Sequence, residues 1–232
     1  MLDILVYEKE LNGDLAQLAA GICWEGVRSL KKNKKVRNDV LNMLGLIGPT
    51  IGTEELAINV VKLVQKDEAM AEHFAEAIEL WERTEKVHNF VHALLQEIMN
   101  ITETTAQKGL VTLLQSLGRR IPHKMSASWV MLEELIAISD VKYWAREAVL
   151  AVIAEIYIEL EKNGYPDVLE QDSEHDELNM SQVDNALDES TDDDLPLKER
   201  CFRRLTAHIH DKNSFVRSYT INIFKRLTTQ VF

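Results

Sequence analysis

The stretch 198-KERCFRRLTAHIHDKNSFVRSYTINIFKRLTTQ-230 decides the fold. It reads as two helices joined by a short polar turn. In the first, Phe202, Leu205 and Ile209 recur at i, i+3 and i+7; in the second, Phe215 or Val216, then Ile221, Phe224 and Leu227 line one side. That spacing is the helical period, with one apolar stripe per helix. Asp211-Lys212-Asn213-Ser214 separates the two, and Asn213 or Ser214 can accept an orphan backbone N–H as the N-cap of the second helix. Arg217 follows six residues after Asp211, one turn inside that helix.

The same cassette recurs twice. Asp140 stands six residues before Arg146, and Val149, Leu150, Ile153 and Ile156 then align with Thr220, Ile221, Phe224 and Leu227. A third copy runs from Lys31 to Arg37 and continues through Val40, Leu41, Leu44 and Ile47, with Asn33 where the last copy has Asn213 and Lys31 where it has an aspartate. A helix pair cannot bury its stripe alone, so such units must stack on one another. An aspartate near a helix start is favoured by the helix dipole, and an arginine can pair with an aspartate across the stack. Asp140, Arg146, Asp211 and Arg217 are therefore read as a structural ladder. This is the pattern of HEAT repeats, and it predicts an all-α protein, an α-solenoid of HEAT-type antiparallel helix pairs.

Composition agrees. The 232 residues hold only nine glycines and four prolines, enough chain for roughly ten helices of ordinary length. No alternating runs bounded by turn signals point to strands. Cys23 and Cys201 lie far apart and form no CxxC, so two free thiols in a reducing compartment are expected. The N-terminal MLDILVYEKEL lacks the basic start and apolar core of a signal peptide. The longest uncharged run, Val40 to Thr53, holds three glycines and a proline and is too short to span a bilayer. The net charge is −12, but twelve acidic residues lie between Asn163 and Leu197 with no lysine or arginine among them; without them the remaining acids equal the 26 basic residues. Segment 164–196 is accordingly read as an acidic disordered loop, dividing a helical array over 1–163 from a final helix pair of the same array over 197–232. That loop is either a solvated tether or a competitor for a basic surface, with Ser173, Ser181, Ser190 and Thr191 as places where phosphate would add charge.

Between the cassettes, Leu15, Leu18, Ile22 and Val27 form an imperfect first stripe. The helix from about Val36 to Ile47 is expected to end at Gly48-Pro49. Thr53 caps the next, with Leu56, Val60 and Val64 as its stripe, followed by Met70, Phe74, Ile78 and Trp81 and then by Val87, Leu94 and Ile98. Leu110, Leu117 and Ile121 lead to Pro122, which stops that helix or opens the following one, whose face is Met125, Trp129, Leu132 and Ile136. The helix from Tyr143 ends near Asn163-Gly164.

Chemistry-bearing motifs are sparse. Glu85 and His88 make a lone ExxH, whereas a di-iron bundle needs two such motifs and two further carboxylates. His88 and His92 are spaced i, i+4 without the HExxH around them, and no phosphate-binding or nucleophile-elbow glycine motif occurs. No catalytic, cofactor-binding or metal-ligating residue is assigned, and no cofactor is expected. Basic residues are the better lead: Lys31, Lys32, Lys34 and Lys35 near Arg37; Arg119, Arg120 and Lys124 near His123; and Arg200, Arg203, Arg204 and Lys212 in the last pair. Equivalent turns of a solenoid align along one edge, so these are candidate contacts to DNA phosphates without base readout. The plainer reading is that they solvate helix faces and pair with nearby glutamates.

The block HDKNSFVRSYTINIFKRL, His210 to Leu227, closely resembles a HEAT motif of the condensin complex subunit 1 family, the non-SMC HEAT-repeat regulatory subunits of condensin. VRNDVLNMLG at Val36–Gly45, KGLVTLLQSLGRRIP at Lys108–Pro122 and AREAVLAVIAEI at Ala145–Ile156 resemble other stretches of it, in the family's order. The resemblance implies a non-catalytic subunit that binds the kleisin subunit, the SMC ATPases and DNA without sequence preference, with no membrane or small-molecule partner. It implies a place in the nucleus and cytoplasm, and on chromosomes in mitosis, supporting mitotic chromosome condensation. The family's subunits are much longer, so this chain is expected to correspond to an internal section whose last helix presents a stacking face. The alternative is a generic HEAT or armadillo scaffold or adaptor that binds only protein.

Overall fold

The computed structural model describes residues 13–29, 33–84, 87–102, 107–137, 142–163 and 195–230. Lys31, Lys32, Glu85, Asp140 and nearly all of the acidic segment lie outside them. The described residues form helices and short connections, with no strand among them. The helices are α1 (Gly13–Ser29), α2 (Lys34–Ile51), α3 (Thr53–Lys66), α4 (Met70–Arg83), α5 (Phe90–Asn100), α6 (Lys108–Arg120), α7 (Pro122–Ala127), α8 (Trp129–Ala137), α9 (Tyr143–Asn163), α10 (Leu197–Ala207) and α11 (Ser214–Gln230). They group into two compact units, Met1–Val152 and Ile153–Phe232, the division falling inside α9.

The first unit is a two-layer HEAT-type stack. The hairpin partners α1 and α2 pack on each other, and beyond them the most extensive packing joins helices two places apart: α2 on α4, α3 on α5, α4 on α6. That second-neighbour rule is what a linear stack of helix pairs requires. Named contacts set the direction. Arg37 meets His73 and the Leu41 carbonyl meets Trp81, so α2 and α4 run parallel. Ser116 meets Glu72 and Arg120 meets Glu79, so α4 and α6 do the same. The core between the layers holds fully buried Phe74, Ile78, Trp81, Phe90, Leu94 and Leu114, each apolar side chain contributing about 1.5–3 kcal/mol of transfer free energy. Trp81 and Phe90 meet edge to face at 5.3 Å, and Trp81 Nε1 donates to the Leu41 carbonyl at 3.2 Å, so the one polar atom of the ring is satisfied.

The second unit contains the stretch Lys198–Gln230. It comprises the end of α9 from Ile153 together with α10 and α11; a 3-10 turn, His208–His210, lies between the last two, and Phe202 of α10 meets Phe224 of α11 edge to face at 6.1 Å. Asn213 is the cap: its Oδ1 accepts from the N–H of Phe215 at 2.8 Å and of Val216 at 3.4 Å. Asn33 does the same for Val36 at 3.3 Å at the start of α2. Arg37, Arg146 and Arg217 each stand at the fourth residue of their helices, α2, α9 and α11, so the three cassettes share one register.

Several local expectations need correction. Helix α2 runs through Gly48 and Pro49 to Ile51. Pro49 lies in the last turn, where it forfeits a single backbone bond, and the stop is Gly52, whose φ of 97° is open to glycine and whose N–H closes on the Gly48 carbonyl. Pro122 does both things at once, since Ile121 ends α6 and Pro122 occupies the first turn of α7. On α1 the stripe is rotated: Leu18 and Ile22 are each 63% exposed and Leu15 is exposed too, while Ala16, Ala20, Cys23, Trp24 and Val27 are buried. The buried face combines small residues with Trp24, whose ring lies 6.3 Å from that of Phe74 of α4. On α11 the buried set is Val216, Thr220, Ile223 and Leu227, with Ile221 exposed; Thr220 is tolerated there because its hydroxyl donates to the Val216 carbonyl at 2.9 Å.

Candidate nucleic-acid interface

The first two basic clusters come together across α4. Lys34 and Lys35 open α2, directly after its cap, and both are exposed. Arg119 and Arg120 close α6, and Lys124 stands on α7. Between them, α4 presents Glu72, Glu76 and Glu79 at i, i+4 and i+7, one helix face. Lys34 Nζ lies 3.6 Å from Glu76 Oε1. The Arg120 guanidinium reaches Glu79 at 3.0 Å, Glu76 at 3.6 Å and Glu72 at 3.8 Å. Arg83 takes the other oxygen of Glu79 at 2.6 Å, and Lys124 lies 3.6 Å from Glu82. Ser116 Oγ donates to Glu72. Here Lys34, Arg83, Arg120 and Lys124 stand against four carboxylates, so the ridge is close to neutral at short range. The sequence held the signal for this, an acidic row at helical spacing, but nothing in it said that two distant basic turns would close on that row.

Arg37 is turned inward, 5% exposed, with Nη2 3.0 Å from His73 Nδ1. A guanidinium can only donate, so Nδ1 is the acceptor and the ring proton sits on Nε2. Burial holds the His73 pKa below its ordinary value, and the positive charge of Arg37 lowers it further. Arg146 is likewise buried. Of the ladder, Arg217 Nη1 donates to the main-chain carbonyls of Asp211 at 2.8 Å and Lys212 at 3.1 Å, while the Asp211 carboxylate accepts the Asn213 N–H at 2.8 Å. The pair thus ties up the turn that precedes its own helix.

The third cluster has a different balance. From Leu197 to Gln230 the chain carries Lys198, Arg200, Arg203, Arg204, Lys212, Arg217, Lys225 and Arg226 against only Glu199 and Asp211. Arg203 pairs with Glu199 at 3.2 Å; Lys198 and Arg226 reach Glu161 and Glu155 of α9 at 2.8 and 2.7 Å. Arg200 is buried; Arg203, Lys212 and Lys225 are exposed. Even with both α9 carboxylates counted, cations outnumber anions on this helix pair. Lys225 and Arg226 are basic positions that reading by turns overlooked, because they lie at the far end of α11.

Among the described residues no group of three or more His, Cys, Asp or Glu side chains is placed to hold a metal, and no helix is long and apolar enough to cross a membrane. A cavity of about 170 Å³ lies where Glu68, Gln107, Lys108, Val111, Thr112, Trp144 and Glu147 meet. It is smaller than the roughly 300 Å³ at which small-molecule pockets begin, and burial raises the Glu147 carboxyl pKa above the usual range.

Comparison with known proteins follows the same line. No family model matches the chain, and no solved structure matches it. Condensin complex subunit 1 of Mus musculus is 26% identical over 234 residues, covering 94% of this chain and 14% of the relative. The Homo sapiens protein is 24% identical over 94% of the chain, and the Xenopus laevis protein 24% over 87%. The chain spans about one seventh of the length of these curated relatives. The helix-turn blocks and the comparisons therefore converge: over nearly its whole length, this all-α chain is similar to one section of condensin complex subunit 1.

Proposed function

We propose that this chain is a HEAT-repeat section of a condensin subunit, acting in mitotic chromosome condensation by binding the kleisin subunit, the SMC ATPases and DNA, and doing no chemistry of its own. The observation that carries the reading is similarity over 94% of the chain to a protein whose name places it in condensin. The stacked helix pairs suit the role, because a linear array leaves long surfaces free for macromolecules. DNA contact falls to the basic residues of α10, α11 and the turn between them, where lysine and arginine exceed the carboxylates. Such contact is to phosphate and carries no sequence preference. Nuclear and chromosomal location follows from the same reading.

The test is a gel shift on duplex DNA over a salt series. Binding should weaken steeply with salt, by a slope of about 0.9 for each phosphate contacted. Arg203→Glu with Lys212→Glu should reduce it more than Lys34→Glu with Lys35→Glu, which alters an already balanced ridge. A pull-down with a kleisin fragment tests the protein partner directly. Absence of any shift at low salt, with kleisin still captured, would favour the reading as a protein-only scaffold.

A further inference from the structure

We infer that the glutamate row of α4 is a specificity element that keeps phosphate polymers off the first unit. This rests on the DNA-binding reading and adds which surface is withheld, and by what. Glu76 lies between the two basic turns, 3.6 Å from both Lys34 Nζ and Arg120 Nη2. Glu79 holds Arg120 with one oxygen and Arg83 with the other, at 3.0 and 2.6 Å. A DNA phosphate reaching for Arg120 must displace a carboxylate that already satisfies it, and must do so beside two more formal negative charges. Arginine forks bind carboxylate and phosphate with the same planar pair of N–H groups, so the two are direct competitors. The contacts of Glu76 and Glu72, at 3.6 to 3.8 Å, exceed hydrogen-bond length, so those two carboxylates balance charge without being locked, whereas Glu79 is hydrogen-bonded to both Arg83 and Arg120; a glutamine at 79 keeps an acceptor for them. Lys34 and Glu72 are largely exposed, so their pairs contribute little to stability, while Arg120, Glu76 and Glu79 are part-buried. The effect of the row is on what can approach.

The test uses the whole chain with Glu76→Gln and Glu79→Gln, which keep side-chain volume and hydrogen-bond acceptors while removing two charges. A control with Glu54→Gln and Glu97→Gln, on α3 and α5 of the other layer, makes the same change in net charge. Far-UV circular dichroism checks that each is folded, and if the double variant is not, Glu76→Gln alone is read instead. The row variant should bind duplex DNA roughly tenfold more tightly, with a salt slope steeper by about 1–2, the scale of one or two new phosphate contacts. The control should move neither beyond a small uniform shift. Equal gains in row and control variants overturn the inference, as does no gain in the row variant. If the native chain binds through α10 and α11 and the row variant is unchanged, the DNA reading stands and this one falls. If only the row variant binds, this inference stands and the native chain's DNA contact falls. If neither binds at low salt, both fall.

Discussion

Two glycine-to-alanine substitutions, chemically the same change in two helix interiors, should have opposite signs. Gly21 lies in α1 on its exposed side, and a Cβ built there meets nothing within 4 Å. Alanine gains about 1 kcal/mol of helix propensity over glycine, so Gly21→Ala should stabilise by up to that amount. Gly45 lies within α2, and its added Cβ would stand 2.3 Å from both Cδ1 and Nε1 of Trp81. Trp81 cannot yield easily: it is fully buried, packed against Phe90, and holds the Leu41 carbonyl. Overpacking costs about 1–3 kcal/mol, and moving the indole off its carbonyl exposes a buried polar pair to a similar penalty, about 1–3 kcal/mol. Set against the same propensity gain, Gly45→Ala should destabilise by roughly 1–5 kcal/mol, lowering the melting point by roughly 2–20 °C at about 2–4 °C per kcal/mol. Thermal unfolding followed at 222 nm, together with the indole near-UV signal, measures both. If Gly45→Ala raises stability as Gly21→Ala does, α2 and α4 do not approach as described, and the bridging of Lys34 and Arg120 by Glu76 loses its framework.

Three further outcomes follow from the packing. Arg226→Met takes a hydrogen-bonded cation from the Glu155 carboxylate, 7% exposed, and should cost up to about 3–5 kcal/mol; adding Glu155→Gln should recover part of it, as read by hydrogen exchange in α11. His73 has a lowered pKa in the folded chain, so below about pH 6.5 the unfolded chain binds the proton more readily and stability falls with pH. His73→Asn, which keeps an acceptor for Arg37, should flatten the drop in melting point below that pH, and an unchanged pH profile would rule His73 out as its source. Cys201 is fully buried with its pKa raised to about 12, and Cys23 is buried with a raised pKa as well. Neither thiol should react with a disulfide reagent until denaturant is added, whereas native-state labelling of Cys201 would show that α10 opens readily.

How much of this was legible beforehand depends on the residue. The caps at Asn33 and Asn213 could be read because capping is local: a short polar side chain bonds an amide two or three residues on. The shared register of Arg37, Arg146 and Arg217 was legible for the same reason, as a cassette repeated in one chain. Of the expected α1 stripe only Val27 turns inward, since Leu15, Leu18 and Ile22 fit the helical period as well as the buried Ala16, Ala20 and Trp24 do. Periodicity states that a helix has an apolar face; which of two such faces turns inward is settled by the helices packed against it.

The amino-acid order alone determined an all-helical chain, its division into repeated pairs, the imbalance of charge around one segment and the resemblance to condensin subunits, because all four are properties of near neighbours or of running counts. Only the tertiary structure decided that the turns at Lys34 and at Arg120 meet over the carboxylates of α4, and that Arg37 is spent on His73 instead of facing solvent. Those pairings join residues 36 to 44 positions apart. At such separations the charge on a side chain is known from the sequence, but the charge standing opposite it depends on which helices the burial of apolar surface has brought side by side.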